Sequence, residues 1–104
     1  MIEFRTVALP SGILAHQDLL SLSAYDQAEQ FLPDTVFTIV ENQNRVPFDI
    51  RTKNGKGIVY TLTPLEEQQQ YRLKVRAKSF DSRRRDVHYQ TTFMIYISVS
   101  SFPY

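Results

Sequence analysis

Two long segments near the end of the chain constrain its fold more than any other feature. Residues 71–78 alternate strictly between apolar and cationic side chains, and residues 91–99 carry an apolar side chain at every second position. Successive side chains of a strand point to opposite faces, so this period of two predicts half-buried antiparallel strands. The cationic positions of the first segment are Arg72, Lys74, Arg76 and Lys78. The pattern therefore predicts an all-β fold with a positively charged outer face.

Five further segments have strand character and turn residues at their ends. They are residues 3–9, 16–24, 35–41, 48–52 and 58–62. The last two flank Asn54-Gly55, a strong hairpin signal because both residue types tolerate a positive φ. Residues 65–70 have helical propensity, but six residues favour a turn or a single helical turn. About seven short strands predict one antiparallel β-sandwich.

The alternation also predicts which side chains form the hydrophobic core. A one-residue shift in register would turn each of these sets outward, so the period selects one face of each strand. The predicted core consists of Leu20, Leu22, Phe37, Ile39, Phe48, Ile50, Tyr60, Leu62, Tyr71, Leu73, Val75, Phe93, Ile95, Ile97 and Val99.

Length and composition limit the class of protein. The 104 residues correspond to one domain, residues 1–104, and 42% of them are apolar, enough for one core. The net charge is only +1, and there is no cysteine, which excludes thiol chemistry and zinc ribbons. Taken alone, the lack of disulfides favours an intracellular location. No apolar run is long enough to insert into a membrane, and no signal peptide is visible.

The sequence offers little catalytic chemistry. His16 lies two residues from Asp18, and His88 lies two residues from Asp86, a spacing that places both members of a pair on one strand face. Surface polar pairs explain this spacing better than an acid–base couple does, because no third group accompanies either pair. No nucleophile elbow, phosphate-binding loop or carboxylate-rich loop is present. We therefore predict no catalytic residue, no bound metal and no cofactor.

The basic segment is the best candidate for a site. Seven of the twelve Lys and Arg residues lie between residues 72 and 85, because Arg83, Arg84 and Arg85 follow the cationic strand. Such a face could bind a sulfated glycan, nucleic acid or an acidic protein surface. It could equally be a solvated face whose charges discourage edge pairing. Nucleic acid is the least favoured partner, because the aromatic residues that should interleave with these cations are expected on the core face.

Two family resemblances run through the chain. Residues 48–62 (FDIRTKNGKGIVYTL) and 71–77 (YRLKVRA) resemble a cadherin repeat without its calcium motifs. A closer match is the fibulin-type C-terminal module, with the hemicentin branch of that family nearest. The residues that carry it are 8–13 (ALPSGI), 15–18 (AHQD), 90–93 (QTTF) and 96–104 (YISVSSFPY). This resemblance covers essentially the whole chain.

The fibulin resemblance implies a function and a location. Proteins of this kind are secreted, non-enzymatic components of the extracellular matrix that contribute to basement-membrane and tissue attachment. Their module follows calcium-binding EGF-like domains, so calcium and the signal peptide are expected upstream of this chain. The resemblance thus implies a cysteine-free module outside the cell, with matrix proteins as partners and self-association left open.

Three functions from different classes remain at this stage. The first is a protein-interaction module of the matrix, and the second is a module that binds heparan sulfate-like chains through the basic face. The third is a small hydrolase or other enzyme. A flat cationic face would favour binding over catalysis, because small substrates are normally bound in concave sites.

Overall fold

A computed structural model describes residues 2–26, 28–41, 46–65, 69–80 and 87–100. Within these ranges the chain forms seven strands and no helix. The strands are β1 (Ile2–Pro10), β2 (Asp18–Leu22), β3 (Thr35–Glu41), β4 (Phe48–Lys53), β5 (Lys56–Thr61), β6 (Gln69–Phe80) and β7 (Val87–Ser100). All seven predicted strands are therefore present, and the predicted β-sandwich is confirmed.

The strands form two sheets that enclose the core. One has four strands in the order β1-β7-β6-β3, and the other has three in the order β2-β5-β4. Four of the described ladders are antiparallel, whereas β1 runs parallel to β7. A parallel pair needs a long crossover, and here the chain between β1 and β7 builds the rest of the sandwich. Besides core packing, a hydrogen bond of 3.0 Å from the Phe37 amide to the Thr52 hydroxyl links β3 to β4.

The β4–β5 hairpin has the tight turn that the sequence predicts. Lys53 pairs with Lys56, which leaves a two-residue turn. Its residues Asn54 and Gly55 have φ angles of 53° and 77°. Positive φ at both positions is the signature of a type I′ turn, whose twist matches that of the flanking strands. The turn determines which residues of β4 and β5 lie opposite each other.

The core lies between the two sheets and is made largely of the inward side chains of β6 and β7. Leu73, Val75, Phe93 and Ile95 have no exposed surface. The ring of Phe37 packs against that of Phe93, with the two centroids 6.2 Å apart. The other buried apolar residues are Leu22, Ala24, Phe48, Val59, Leu65, Ala77, Ile97 and Val99. Four more predicted core residues are partly buried and pack against this cluster: Leu20, Ile39, Ile50 and Tyr71.

The core prediction was wrong for two residues, Tyr60 and Leu62. Leu62 is 41% exposed, and the Tyr60 hydroxyl donates a 3.4 Å hydrogen bond to the exposed Asp49 carboxylate. The two-residue turn explains the error. It places Val59 opposite Ile50, and residues directly opposite each other in a ladder share a face. The inward face of β5 is therefore made of the odd-numbered residues Gly57, Val59 and Thr61.

Polar side chains complete this inward face because each has hydrogen-bond partners. The Thr61 hydroxyl is fully buried, donates to the Leu14 carbonyl at 2.6 Å and accepts from the Gln17 amide at 2.9 Å. These bonds tie the loop before β2 to β5. Thr35 and Ser79 hydroxyls lie 2.7 Å apart and are buried in the same way between β3 and β6. Satisfied hydroxyls avoid the cost of an unpaired buried group.

We expect substitution of a leucine to distinguish the two faces. Leu73→Ala should lower the free energy of unfolding by about 2–5 kcal/mol, because it leaves a cavity in a close-packed core. Leu62→Ala, the matched control on the exposed face, should cost less than about 1 kcal/mol. Urea titrations followed by circular dichroism measure both values. Equal losses at the two positions would contradict the assignment of the faces.

Candidate functional site

The four cations of β6 form a row along the middle of the four-stranded sheet. β6 lies between β7 and β3, and its inward residues are anchored in the core. The side chains at the alternate positions therefore point away from the second sheet. Arg72 is exposed, whereas Lys74, Arg76 and Lys78 are half-buried by their neighbours on the sheet. We call Arg72, Lys74, Arg76 and Lys78 the cationic row. The other predicted site residues, Arg83, Arg84 and Arg85, lie outside the described residues.

Two arginines outside the row are paired with carboxylates. Arg5 is paired with Glu3 at 3.4 Å, and Arg51 is paired with Asp18 at 2.8 Å. Within the described part of the chain, no carboxylate forms an ion pair with Arg72, Arg76 or Lys78. The Nε atom of Arg76 is also buried, with no hydrogen-bond partner among those residues. Arg72, Arg76 and Lys78 therefore present positive charge that the described carboxylates leave unneutralised.

A second feature of this outer face is a group of exposed apolar side chains on β1 and β7. The rings of Phe4 and Tyr96 are stacked, with centroids 6.5 Å apart and planes 15° from parallel. Phe4 is 63% exposed and Tyr96 is 40% exposed. Ile2 and the half-buried Met94 lie beside them on the same face. We call Ile2, Phe4, Met94 and Tyr96 the aromatic corner.

The sequence analysis did not identify the aromatic corner. It considered only the aromatic residues that would interleave with the cations, and it placed neither Phe4 nor Tyr96 in the core or in a site. The signal was available in part, because Tyr96 has the outward parity of its strand. Phe4 could not be placed, because nothing local to β1 shows that it runs parallel to β7 with Phe4 opposite Met94.

The corner and the cationic row are close neighbours. Met94 pairs with Phe4 of β1 on one side and with Lys74 of β6 on the other. These three side chains therefore lie side by side across the sheet, from the aromatic corner to the cationic row. Adjacent strands lie about 4.8 Å apart, which puts the two features within about 10 Å. An exposed apolar anchor beside positively charged side chains is the composition of a protein-binding hot spot with a polar rim. The face is suited to binding a macromolecule.

The His16–Asp18 pair does not form a catalytic or metal site with other residues in the part of the chain that is described. His16 is exposed in the loop before β2, and the Asp18 carboxylate is engaged by Arg51. In the other pair, both Asp86 and the side chain of His88 lie outside what the structure describes. No group of three or more His, Cys, Asp or Glu side chains converges among residues 2–26, 28–41, 46–65, 69–80 and 87–100. In those same ranges, no helix is long and apolar enough to cross a membrane.

Comparison with solved structures identifies the class of fold. The chain superimposes on protocadherin gammaB7, a cis-dimer of repeats EC3-6, with a TM-score of 0.71 and 23% identity over 94% of this chain and 22% of that one. Mouse cadherin-23 gives a TM-score of 0.67 at 14% identity, covering 94% of this chain and 29% of the other. At this identity the likeness shows a shared cadherin-like sandwich and nothing further.

Sequence comparison then gives the family. Residues 1–101 match the fibulin C-terminal Ig-like domain. The chain is 47% identical over 103 residues to hemicentin-1 of Homo sapiens, and equally to that of Mus musculus. It is 34% identical to mouse hemicentin-2 over 104 residues. Each match covers 99% of this chain and only 2% of the relative. The chain belongs to the fibulin C-terminal Ig-like domain family, which confirms the resemblance, and no enzymatic family is indicated.

We expect the stability of the domain to be independent of divalent metal. Addition of EDTA should leave the melting temperature unchanged, because the described residues offer no cluster of metal-ligating side chains. Differential scanning calorimetry with EDTA, and again with added calcium at constant ionic strength, measures this. A fall of about 4 °C or more, which corresponds to roughly 1 kcal/mol in a domain of this size, would show that ligands converge on a metal after all.

Proposed function

We propose that this chain is a non-enzymatic protein-interaction and adhesion module of the extracellular matrix. The module binds a matrix protein through the outer face of the four-stranded sheet and so contributes to basement-membrane and tissue attachment. The observation that carries the proposal is the aromatic corner beside the cationic row, in which Arg72, Arg76 and Lys78 have no carboxylate partner among the described residues. Membership of the fibulin C-terminal family supports the extracellular setting and the absence of catalysis.

The composition of the face favours a protein as the partner. Sulfated glycans offer a dense row of anions, but an exposed stacked pair such as Phe4 and Tyr96 is most useful against an apolar side chain. Aromatic residues near the centre of an interface contribute most of the binding energy in many complexes, whereas exposed ion pairs contribute little singly. A protein surface with an apolar anchor and carboxylates within about 10 Å of it would satisfy both features.

The family comparison also shows how small a part of a parent protein this module would be. The matched region spans 2% of the hemicentins, so the rest of such a protein would determine where the module is delivered. Calcium in our proposal belongs to EGF-like domains of a parent protein, and this module needs no cofactor. Neither nucleic acid binding nor membrane insertion is part of the proposed function.

A sulfated glycan is the second candidate partner, and the cationic row favours it. Arg72, Arg76 and Lys78 lack carboxylate partners among the described residues, and they share one face with Lys74. Arginine binds sulfate and carboxylate groups in a bidentate geometry. The two candidates make different demands on the outer face, because a glycan requires the cationic row and gains little from the aromatic corner.

Retention of the module on decellularised matrix tests the proposed function. The wild-type module should be retained, and digestion of the matrix with heparinase should leave most of the retention, because protein is the partner. Phe4→Ser combined with Tyr96→Ser should reduce retention by about tenfold or more, as expected for loss of a hot spot. The control Tyr25→Ser combined with Phe31→Ser removes another exposed, contacting aromatic pair and should have little effect. Equal retention of all three proteins would contradict the proposal.

Chromatography on heparin tests the glycan candidate. If a glycan is bound, the wild type should be retained at low salt and should elute as the salt rises, because exposed charges are screened over about 8 Å at physiological ionic strength. Changing Arg72, Lys74 and Arg76 together to Ser should shift elution to lower salt with little effect on folding. The matched control changes Arg51, Lys53 and Lys56 to Ser and removes the same charge from the other sheet. Identical elution of both triple variants would eliminate the cationic row as a glycan site.

A further inference from the structure

The free edge of β1 is the longest unpaired strand edge of the four-stranded sheet that the structure describes. β1 hydrogen-bonds β7 over nine residues, and no described strand pairs with its other side. A strand with one open edge presents amide and carbonyl groups to solvent and is a template for another strand. The exposure of this strand edge therefore requires a physical explanation.

The hydrogen bonds show which residues of β1 face this open edge. Ser11 continues β1, and its amide donates to the Ser100 carbonyl of β7 at 2.7 Å. Backbone groups alternate in direction along a strand, so the odd-numbered residues bond to β7 and the even-numbered residues face the open side. Pro10 fits this parity, because it has no amide hydrogen to leave unpaired. The amides available to a new strand are therefore those of Ile2, Phe4, Thr6 and Ala8.

The side chains of β1 are self-complementary about Phe4. Glu3 and Arg5 lie on one face and on either side of Phe4, and they form an ion pair with each other at 3.4 Å. Both side chains remain accessible, at 38% and 45% exposure. On the opposite face Phe4 is 63% exposed. A twofold axis through Phe4 would place each Glu3 opposite the Arg5 of another copy.

We propose that two copies of this chain associate through their β1 edges, antiparallel and with Phe4 opposite Phe4. Ile2 of each copy then pairs with Thr6 of the other, and the ladder contains about six backbone hydrogen bonds. The Arg5 guanidinium, which donates to the Phe4 carbonyl at 3.0 Å within one copy, then turns to Glu3 of the other copy. Glu3 and Arg5 fall at the pairs without backbone hydrogen bonds, where opposing side chains approach most closely. The two four-stranded sheets become one continuous sheet, and their aromatic corners meet at the twofold axis.

Charge selects this register over its neighbours. Moving the axis to Glu3 places the two Glu3 carboxylates opposite each other, and moving it to Arg5 opposes the two guanidinium groups. Like charges directly opposite each other in a ladder are destabilising. A register centred on Thr6 places Glu3 opposite Leu9 and Arg5 opposite Val7, which leaves both charges without partners across the interface. Only the axis at Phe4 pairs every charge.

The same charges exclude unrelated strands. Charged residues on an edge strand are a common protection against aggregation, because a foreign strand rarely offers matching charges. Glu3 and Arg5 provide that protection against strands without matching charges, and a second copy does match them. Interaction specificity commonly combines such repulsion of wrong partners with attraction of the right one. An edge-to-edge contact is small, so the dimer is weak and reversible.

Sedimentation equilibrium of the 104-residue chain over a range of concentrations tests the proposal. The wild type should dimerise reversibly. Arg5→Glu should raise the dissociation constant by about tenfold or more, because the Glu3 carboxylate of each copy then faces another carboxylate at position 5 of the other copy. The double exchange Glu3→Arg with Arg5→Glu should restore dimerisation, because position 3 of each copy again faces an opposite charge at position 5 of the other. Lys56→Glu, an equal charge change on the other sheet, should leave the dissociation constant unchanged.

A second variant tests the backbone ladder directly. Thr6→Pro removes an amide that faces the open edge, so it should abolish the dimer while the monomer still folds, as circular dichroism would show. Thr6→Ala is its control. A wild type that stays monomeric at roughly millimolar concentration, where weak interfaces of this size associate, overturns the proposal. Dimerisation unaffected by Arg5→Glu and Thr6→Pro overturns it as well, and so does failure of the charge exchange to restore it.

Discussion

The antiparallel ladder between β6 and β7 is the interaction on which the rest of the structure depends. It pairs residues from Gln69 to Phe80 with residues from Val99 back to Val87. Its inward side supplies a large part of the core, and its two flanks hold β1 and β3. Burial of such side chains is worth about 1.5–3 kcal/mol each. Because this ladder is anchored by the core, the backbone positions from which the outward side chains project are fixed.

One alternation therefore supports both stability and the candidate site. Leu73 and Val75 are fully buried, and the residues between and beside them carry the cationic row. The cationic row and the core residues of β6 cannot change register independently, because a one-residue slip of the strand would bury the charges and expose the apolar side chains. The domain can thus keep several positive charges close together on one sheet while its net charge stays at +1.

The errors in the predicted core have a local cause. The period of two identified Phe48 and Ile50 correctly, but in β5 it could be read in either parity, since both sets contain apolar residues. The turn at Asn54-Gly55 removes the ambiguity, because a two-residue connection places Thr61 opposite Phe48. Gly57 belongs to the inward set for a packing reason: a Cβ atom there would approach the Phe37 ring to 2.5 Å. Thr61 was missed because a threonine is buried only where its hydroxyl finds partners.

The sequence by itself determined the seven strands, the tight hairpin, the outward cationic row and the family, because these follow from local periodicity, turn chemistry and motifs. Tertiary structure decided which strands became neighbours. The parallel pairing of β1 with β7 joins residues about ninety positions apart, and it alone brings Phe4 against Tyr96 and leaves the β1 edge open. Such pairing depends on how the intervening strands close the sandwich, and no local pattern in residues 2–10 encodes it.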